Sequence, residues 1–328
     1  MHAINATIVL AIAAGLAGCG KTPAPAASGN PAPLVATARP ATTGNASAEE
    51  VASQARGSVS CPASIATPAH SASAPVDDIV GVRPGLTYEE AGNVVECSNE
   101  LLVVSAETSR GFDIKSYGQK IRQGFSARFA EPRVVKTSKQ IMKEMQDDAM
   151  ARGMNARRED LKPGQVKWYV STMGLPGQER VLAAAREERF VEAQSPTLAS
   201  VGEALLKKYG TPTREQGPQG QAKSMRWAYD PLGRRITETS PLYARCVGAA
   251  SPDAGLHLSR DCGVIVEAML IPQRANPDLV DRMQVGVVDQ AGGDRMVAAT
   301  ELGLQQMDGQ RRAQEVAKAG KNARAPSL

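Results

Sequence analysis

Between residues 20 and 75 the chain is written almost wholly in Ala, Pro, Ser, Thr and Gly, with almost no Leu, Phe or Tyr. Such a segment cannot bury enough apolar surface to offset its ordering entropy, so it is expected to stay disordered. Folding is thereby confined to the residues beyond 75. As a flexible coil the 56 residues would span on the order of 40 Å, the reach of a tether.

The folding part has a constraint of its own. Aromatic residues make up 4% of the 328, so a core must rest on Val, Leu, Ile, Ala and Met. The length allows one large domain or two small ones. Taken in order, Thr87 to Glu90 is a capping-box pattern that starts a helix from Tyr88 to about Cys97. Leu101 to Val104 reads as the first strand, and Phe125 and Phe129 share a helical or strand face. Ser138 to Gly153 reads as a helix whose Ile141, Met142, Met145 and Met150 are core filler. Lys167 to Met173 and Arg180 to Phe190 flank a turn of breakers, giving a hairpin. Ser195-Pro196 opens a helix with Ser as N-cap, Gly210 ends it and Pro212 blocks continuation. Met225 to Tyr229 and Arg234 to Thr237 form a second hairpin. Gly263 to Ile271 is the most apolar strand and is placed at the centre. Asn276-Pro277 starts a short helix, Val285 to Asp289 is the last strand, and a closing helix runs from Asp294 to about Gln314. The fold expected is α+β, an antiparallel sheet with short helices packed on one face. It spans 76–310, with subdomains at 76–160 and 161–310 as a possible division.

Before the tether, Ile8 to Gly20 is an apolar run too short to cross a bilayer, which takes about 20 residues. It reads as the h-region of an export signal over residues 1–18. Its end, Leu16-Ala17-Gly18-Cys19, resembles the lipobox of bacterial lipoprotein precursors. That resemblance implies that the Cys19 thiol is diacylglycerylated, that the signal is cut just before it, and that acyl chains hold the protein to a membrane. In a cell with two membranes it implies the outer one, on its periplasmic side. Residues 19–75 are then the lipidated cysteine and its tether.

Setting Cys19 aside leaves Cys61, Cys97, Cys246 and Cys262, an even number for an oxidising compartment, with three possible pairings. Cys246 with Cys262 is preferred, because Val247 to Asp261 reads as a loop between strands. Cys61 with Cys97 would tie the end of the tether to the first helix. No Cys-x-x-Cys is present and His occurs three times, so no metal and no cofactor is expected.

The formal charge of +4 is matched by residues 311–324, where Arg311, Arg312, Lys318, Lys321 and Arg324 face Glu315 alone. Residues 311–328 therefore read as a basic, disordered tail on a nearly neutral domain. A nucleic-acid binder shows a basic face with interleaved aromatics. This chain does not, and nucleic acid is not expected as a partner.

Lys208-Tyr209-Gly210-Thr211-Pro212 followed by strands with Trp227-Ala228-Tyr229-Asp230, together with Gly81 to Ala91, is similar to small outer-membrane lipoprotein domains of the SmpA/OmlA (BamE-like) type. The resemblance implies short helices before an antiparallel sheet. Three catalytic motifs are missing: no Gly-x-Ser-x-Gly, Ser-x-x-Lys or His-Glu-x-x-His occurs. The expectation is a lipid-anchored, non-catalytic structural or protein-binding module with an envelope protein as partner. Trp168, Tyr169, Trp227 and Tyr229 are its candidate binding patch if they sit on an exposed sheet face, or core filling if they do not. The alternative is a periplasmic hydrolase or enzyme inhibitor with a site near His257 in the Cys246–Cys262 loop.

Overall fold

The computed structural model describes residues 44–106, 112–152, 161–217, 222–246, 248, 250–251 and 255–322. The signal segment, Cys19 and the first part of the tether lie outside these residues, as does the end of the tail from 323. In chain order the elements are α1 (Ala48–Arg56), α2 (Tyr88–Ser98), β1 (Leu102–Ala106), β2 (Gly124–Phe129), α3 (Ser138–Arg152), β3 (Val166–Met173), β4 (Arg180–Arg189), α4 (Leu198–Tyr209), β5 (Arg214–Gln216), β6 (Lys223–Ala228), β7 (Val264–Pro272), β8 (Val280–Asp289) and α5 (Gln290–Asn322). The eight strands form one antiparallel sheet in the order β1-β2-β3-β4-β8-β7-β6-β5. The sheet crosses residue 160 without a break, β2 pairing with β3.

Register explains the core. Phe125, Val170, Ala184, Val287, Val266 and Trp227 stand side by side across six strands, and all are buried. This row faces the short helices, whose Ala91 and Val95 (α2) and Leu205 and Tyr209 (α4) complete the cluster. Successive strand residues point to opposite faces, so the neighbouring row of Ser171, Ala183, Val288, Ile265 and Ala228 faces the other way. That second face is covered by Ile236, the Cys246–Cys262 disulfide and Met296 and Val297 of α5. Both faces being covered, every residue of β3 is buried. The centre of the sheet is the β4–β8 pair, with β7 beside it.

Further along the second face the layer is ionic. Lys167 stands opposite Glu187 in register, with Nζ 3.0 Å from one carboxylate oxygen, and Arg282 Nη1 is 3.2 Å from the other. Lys167 and Glu187 are 6% and 4% exposed, so this carboxylate balances two cations almost out of reach of water.

Both disulfides expected from the cysteine count are present, Cys61–Cys97 and Cys246–Cys262. The second closes a separation of 16 residues, worth about 3 kcal/mol in the chain-entropy account. Replacing both cysteines by serine is expected to lower the unfolding free energy extrapolated from urea titration by about that amount. Coincident unfolding curves would remove the constraint from the fold's stability.

Several expectations are corrected. The reading of 19–75 as disordered ends at 44. Ser47 and Glu50 cap α1 reciprocally, and Ala46 exchanges backbone hydrogen bonds of 2.9 Å with Arg133. Further on, the N–H groups of Ala66 and Thr67 and the Thr67 hydroxyl all donate to Glu90. Burial pushes the Glu90 carboxyl up, but these donors and Thr87 N–H override it and hold it at about 2. The segment is ordered by polar contacts and a disulfide, which composition does not register.

One contact overturns two helix boundaries. Thr197 forms a β-bridge with Leu279, Leu198 N–H donates to the Asp278 carbonyl, and Val280 N–H donates to the Pro196 carbonyl. Ser195-Pro196 is thereby held extended, and Thr197, not Ser195, caps α4. The same pairing keeps Asn276 to Leu279 out of a helix and extends the last strand back to Val280. In the second hairpin the Asp230–Gly233 turn forms, but its return leg makes a single bridge, Tyr229 with Arg235. β6 pairs with β5 and β7 instead.

The closing helix starts at Gln290, with Asp289 rather than Asp294 accepting from Gly292 N–H. It continues to Asn322, so the tail is helical through residues read as disordered. Arg311 and Arg312 reach back to Asp308, and Arg311 forward to Glu315, at spacings of three and four that support a helix. The Met stripe of α3 is not core: Ile141, Met142 and Met145 are exposed.

Candidate functional site

Of the aromatic quartet, Trp168, Trp227 and Tyr169 are buried at 0%, 1% and 7% exposure, and Tyr229 is half-buried. The Trp227 indole donates to the Gly210 carbonyl at 2.9 Å and its ring packs 5.1 Å from Tyr209. Trp168 and Trp227 belong to the core beneath the short helices with Tyr229 packed against it, and Tyr169 is buried on the opposite face of the sheet, so of the two readings core filling describes the tryptophans. His257 is exposed and makes no hydrogen bond or ion pair among the described residues. It has neither the carboxylate nor the nucleophile that general-base work requires.

The surface that could bind something lies where α4 crosses β4 and β8. Leu205 and Tyr209 are buried against the sheet, while Val201 is only half covered. Between α4 and the sheet is a groove of about 460 Å³ whose interior includes Val201, Leu205, Phe190, Met283, Val285 and Ile79. One ion pair stands on each wall: Arg186 with Glu188 at 2.7 Å on the sheet, and Lys208 with Asp78 at 2.8 Å on the helix side.

The end of the groove is formed by a tight turn. Ile79 and Val82 exchange backbone hydrogen bonds at 2.8 and 2.9 Å, and both residues between them have positive φ, Val80 at 47° and Gly81 at 83°. That is the signature of a type I′ turn, which favours Asn and Gly. A β-branched residue there is strained. The turn is tied to α4: Asp78 accepts from Lys208 and from Gly81 N–H, and Tyr209 donates to the Asp78 carbonyl. Although burial opposes it, these bonds hold the Asp78 carboxyl below its usual range. Val80 is 53% exposed at the groove's edge. Val80→Gly is expected to stabilise the fold by about 1 kcal/mol through relief of this strain, read as a higher denaturation midpoint. A lower midpoint would show that the side chain's contacts outweigh the strain.

Beyond Phe190, which lines both, lies a second cavity of about 530 Å³ whose lining mixes charged side chains, Glu192 among them, with Pro163, Ile271 and Pro272. Arg189 is paired there with Asp281 at 3.4 Å, Arg282 reaches Glu187, and the exposed Arg274 makes no ion pair among the described residues.

No family model, curated protein or solved structure matches the chain. The site must therefore be read from its own chemistry. Its apolar interior is bordered by the hydroxyls of Ser200 and Tyr209 and by Arg186, Glu188 and Lys208, and its lining holds no cysteine or histidine. Among the described residues no three His, Cys, Asp or Glu side chains converge to hold a metal. Among the described residues a single His–carboxylate contact exists elsewhere, which sequence reasoning missed by placing His70 in the tether. His70 Nδ1 lies 3.2 Å from Asp77 Oδ2. The signal available was Asp77-Asp78 ahead of Gly81, a turn-forming pattern read only as an extended lead-in. Nothing in the sequence points to the groove, because β4 and β8 meet only in the folded sheet.

Proposed function

We propose that the chain is a lipid-anchored, non-catalytic binding module of the cell envelope, held at the outer membrane by acyl chains on Cys19 and facing the periplasm. The observation that carries the binding role is the apolar groove under α4, whose charged lining groups Arg186, Glu188 and Lys208 are held in ion pairs. The lipobox pattern Leu16-Ala17-Gly18-Cys19 supports the anchor. The paired cysteines 61–97 and 246–262 suit an oxidising compartment. The binding surface is placed at the groove and not at the tryptophans, since those are buried. With His257 exposed and unpaired among the described residues, no observation favours a hydrolytic site around it.

The experiment is Cys19→Ser. The wild-type protein is expected in the detergent phase after membrane fractionation, and the variant in the aqueous phase. An unchanged distribution, or a mature N-terminus without acyl mass, overturns the anchor.

A further inference from the structure

We propose that the exposed apolar patch formed by Val134, Val135 and α3 is a second membrane contact, lying in the interface of the membrane to which Cys19 anchors the chain and fixing the domain's orientation there. The inference rests on the reading of Cys19 as a lipid anchor and is separate from the groove under α4.

Apolar side chains are concentrated on this stretch without a core to enter. From Val134 to Asp147 every residue is exposed, so no described side chain of α3 is buried against the sheet. Among the described residues, five of the thirteen exposed large apolar side chains fall here: Val134, Val135, Ile141, Met142 and Met145, at 47–71% exposure. Single apolar residues scattered over a surface need no explanation, but a cluster marks a contact. At roughly 100° per residue, Ile141, Met142 and Met145 share one sector of the helix about 100° wide, and Gln140 and Asp147 lie on the far side. A helix of 15 residues with no tertiary packing is marginal in water. A surface laid against the apolar sector supplies the packing that the sheet does not.

The tether selects the occupant. The described structure begins at Gly44, and its first residues are fastened to this patch. Ala46 exchanges backbone hydrogen bonds of 2.9 Å with Arg133, and Val135 N–H donates to Asn45 Oδ1 at 2.8 Å. Whatever holds the chain at Cys19 therefore pulls on the domain at the foot of α3. Residues 20–43 have the composition of a coil, which at that length spans about 27 Å r.m.s.. A domain of about 280 residues has a radius of gyration of about 19 Å, so its far side lies beyond that span while the patch lies at the tether's root. Charge agrees with a lipid surface. Lys136 is paired with Glu144, but Lys139 and Lys143 have no ion pair among the described residues. Their stems can lie along hydrocarbon with the ammonium groups at the level of lipid phosphates. Three apolar side chains and two lysines hold a free protein only weakly, so the contact depends on the tether, which keeps α3 at a high local concentration of lipid.

The test uses the full chain, expressed with its own signal and reconstituted in vesicles of phosphatidylethanolamine and phosphatidylglycerol. With Cys19 acylated and the other four cysteines in disulfides, one introduced thiol takes an environment-sensitive NBD label. Labelled Met142→Cys and Met145→Cys are expected to emit at shorter wavelength and to be quenched by lipids brominated in their acyl chains several-fold more than Gln140→Cys and Asp147→Cys. All four positions are exposed, so these changes leave the fold intact. Replacing phosphatidylglycerol by phosphatidylcholine should lessen the quenching, because Lys139 and Lys143 lose their anionic partners. Water-like emission at all four positions, with acyl mass found on the mature N-terminus, overturns the contact and leaves the anchor standing. A blue shift that brominated lipid does not quench assigns the apolar sector to a protein partner or a second copy, and overturns it as well. Absence of acyl mass fails the anchor, and the inference falls with it. Quenching that is unchanged in neutral vesicles overturns the part given to the lysines.

Discussion

Glu187→Ala is expected to cost the fold about 3–5 kcal/mol, because it leaves the buried Lys167 and the half-buried Arg282 without their shared counter-charge. Lys167 and Arg282 both direct their charge at this carboxylate, at 3.0 and 3.2 Å. Removing one partner of a buried pair forfeits the attraction while keeping the desolvation cost of what remains. For a domain of this size the melting temperature should fall by about 10 °C. The companion measurement replaces all three by apolar residues, Lys167→Met, Glu187→Leu and Arg282→Met. Since apolar substitutes for a buried ionic group are often neutral or stabilising, the triple variant should melt near or above the wild type. A single variant that melts within a degree or two of wild type would mean that water reaches the layer.

The second large effect is a pH dependence centred on Asp77. Burial pushes its carboxyl up to about 7; Arg83 opposes this, and Asp78 and Asp289 reinforce it. Burial also lowers His70, with Arg83 adding to the shift and Asp289 opposing it. Both directions disfavour charge, so the 3.2 Å contact of His70 Nδ1 with Asp77 Oδ2 is not held as an ion pair. The linkage signs are opposite. A raised carboxyl contributes stability that is complete below about pH 4 and is lost as pH rises through about 7. A lowered imidazole contributes stability that is present above its ordinary value and lost as pH falls below it. Asp77 dominates, being 4% exposed where His70 is more than a third exposed. Asp77→Asn is expected to be more stable than wild type at pH 8, by at most about 4 kcal/mol. The advantage should vanish near pH 4. Calorimetry of both proteins across that range measures it, and an advantage that does not change with pH would show that Asp77 is not the titrating group.

Local signals account for much of the architecture. The Thr87–Glu90 capping box starts α2 where its spacing says it should, because a cap is satisfied within four residues. The breakers between Met173 and Arg180 make the β3–β4 hairpin for the same reason. Both disulfides were readable, since a cysteine pair advertises itself by type. The misreadings share a cause. Ser195-Pro196 has the local grammar of a helix start, and a bridge from Thr197 to Leu279 overrides it. Residues 44–75 have the composition of a disordered tether, yet Glu90 and Cys97 bind them from outside the segment. The aromatics were scarce enough to draw notice, but their exposure depended on which faces the helices would cover.

What the sequence alone determined is the set of elements with short-range causes: capped helices, hairpins bounded by breakers and an even set of cysteines to pair. What only the tertiary structure decided is everything that needs β4 beside β8. The groove under α4 and the seating of Arg282 on Glu187, 95 residues away, both arise from that neighbourhood. Hydrogen bonds within a few residues are encoded where they form. Contacts across a sheet depend on strand order, which no local pattern states.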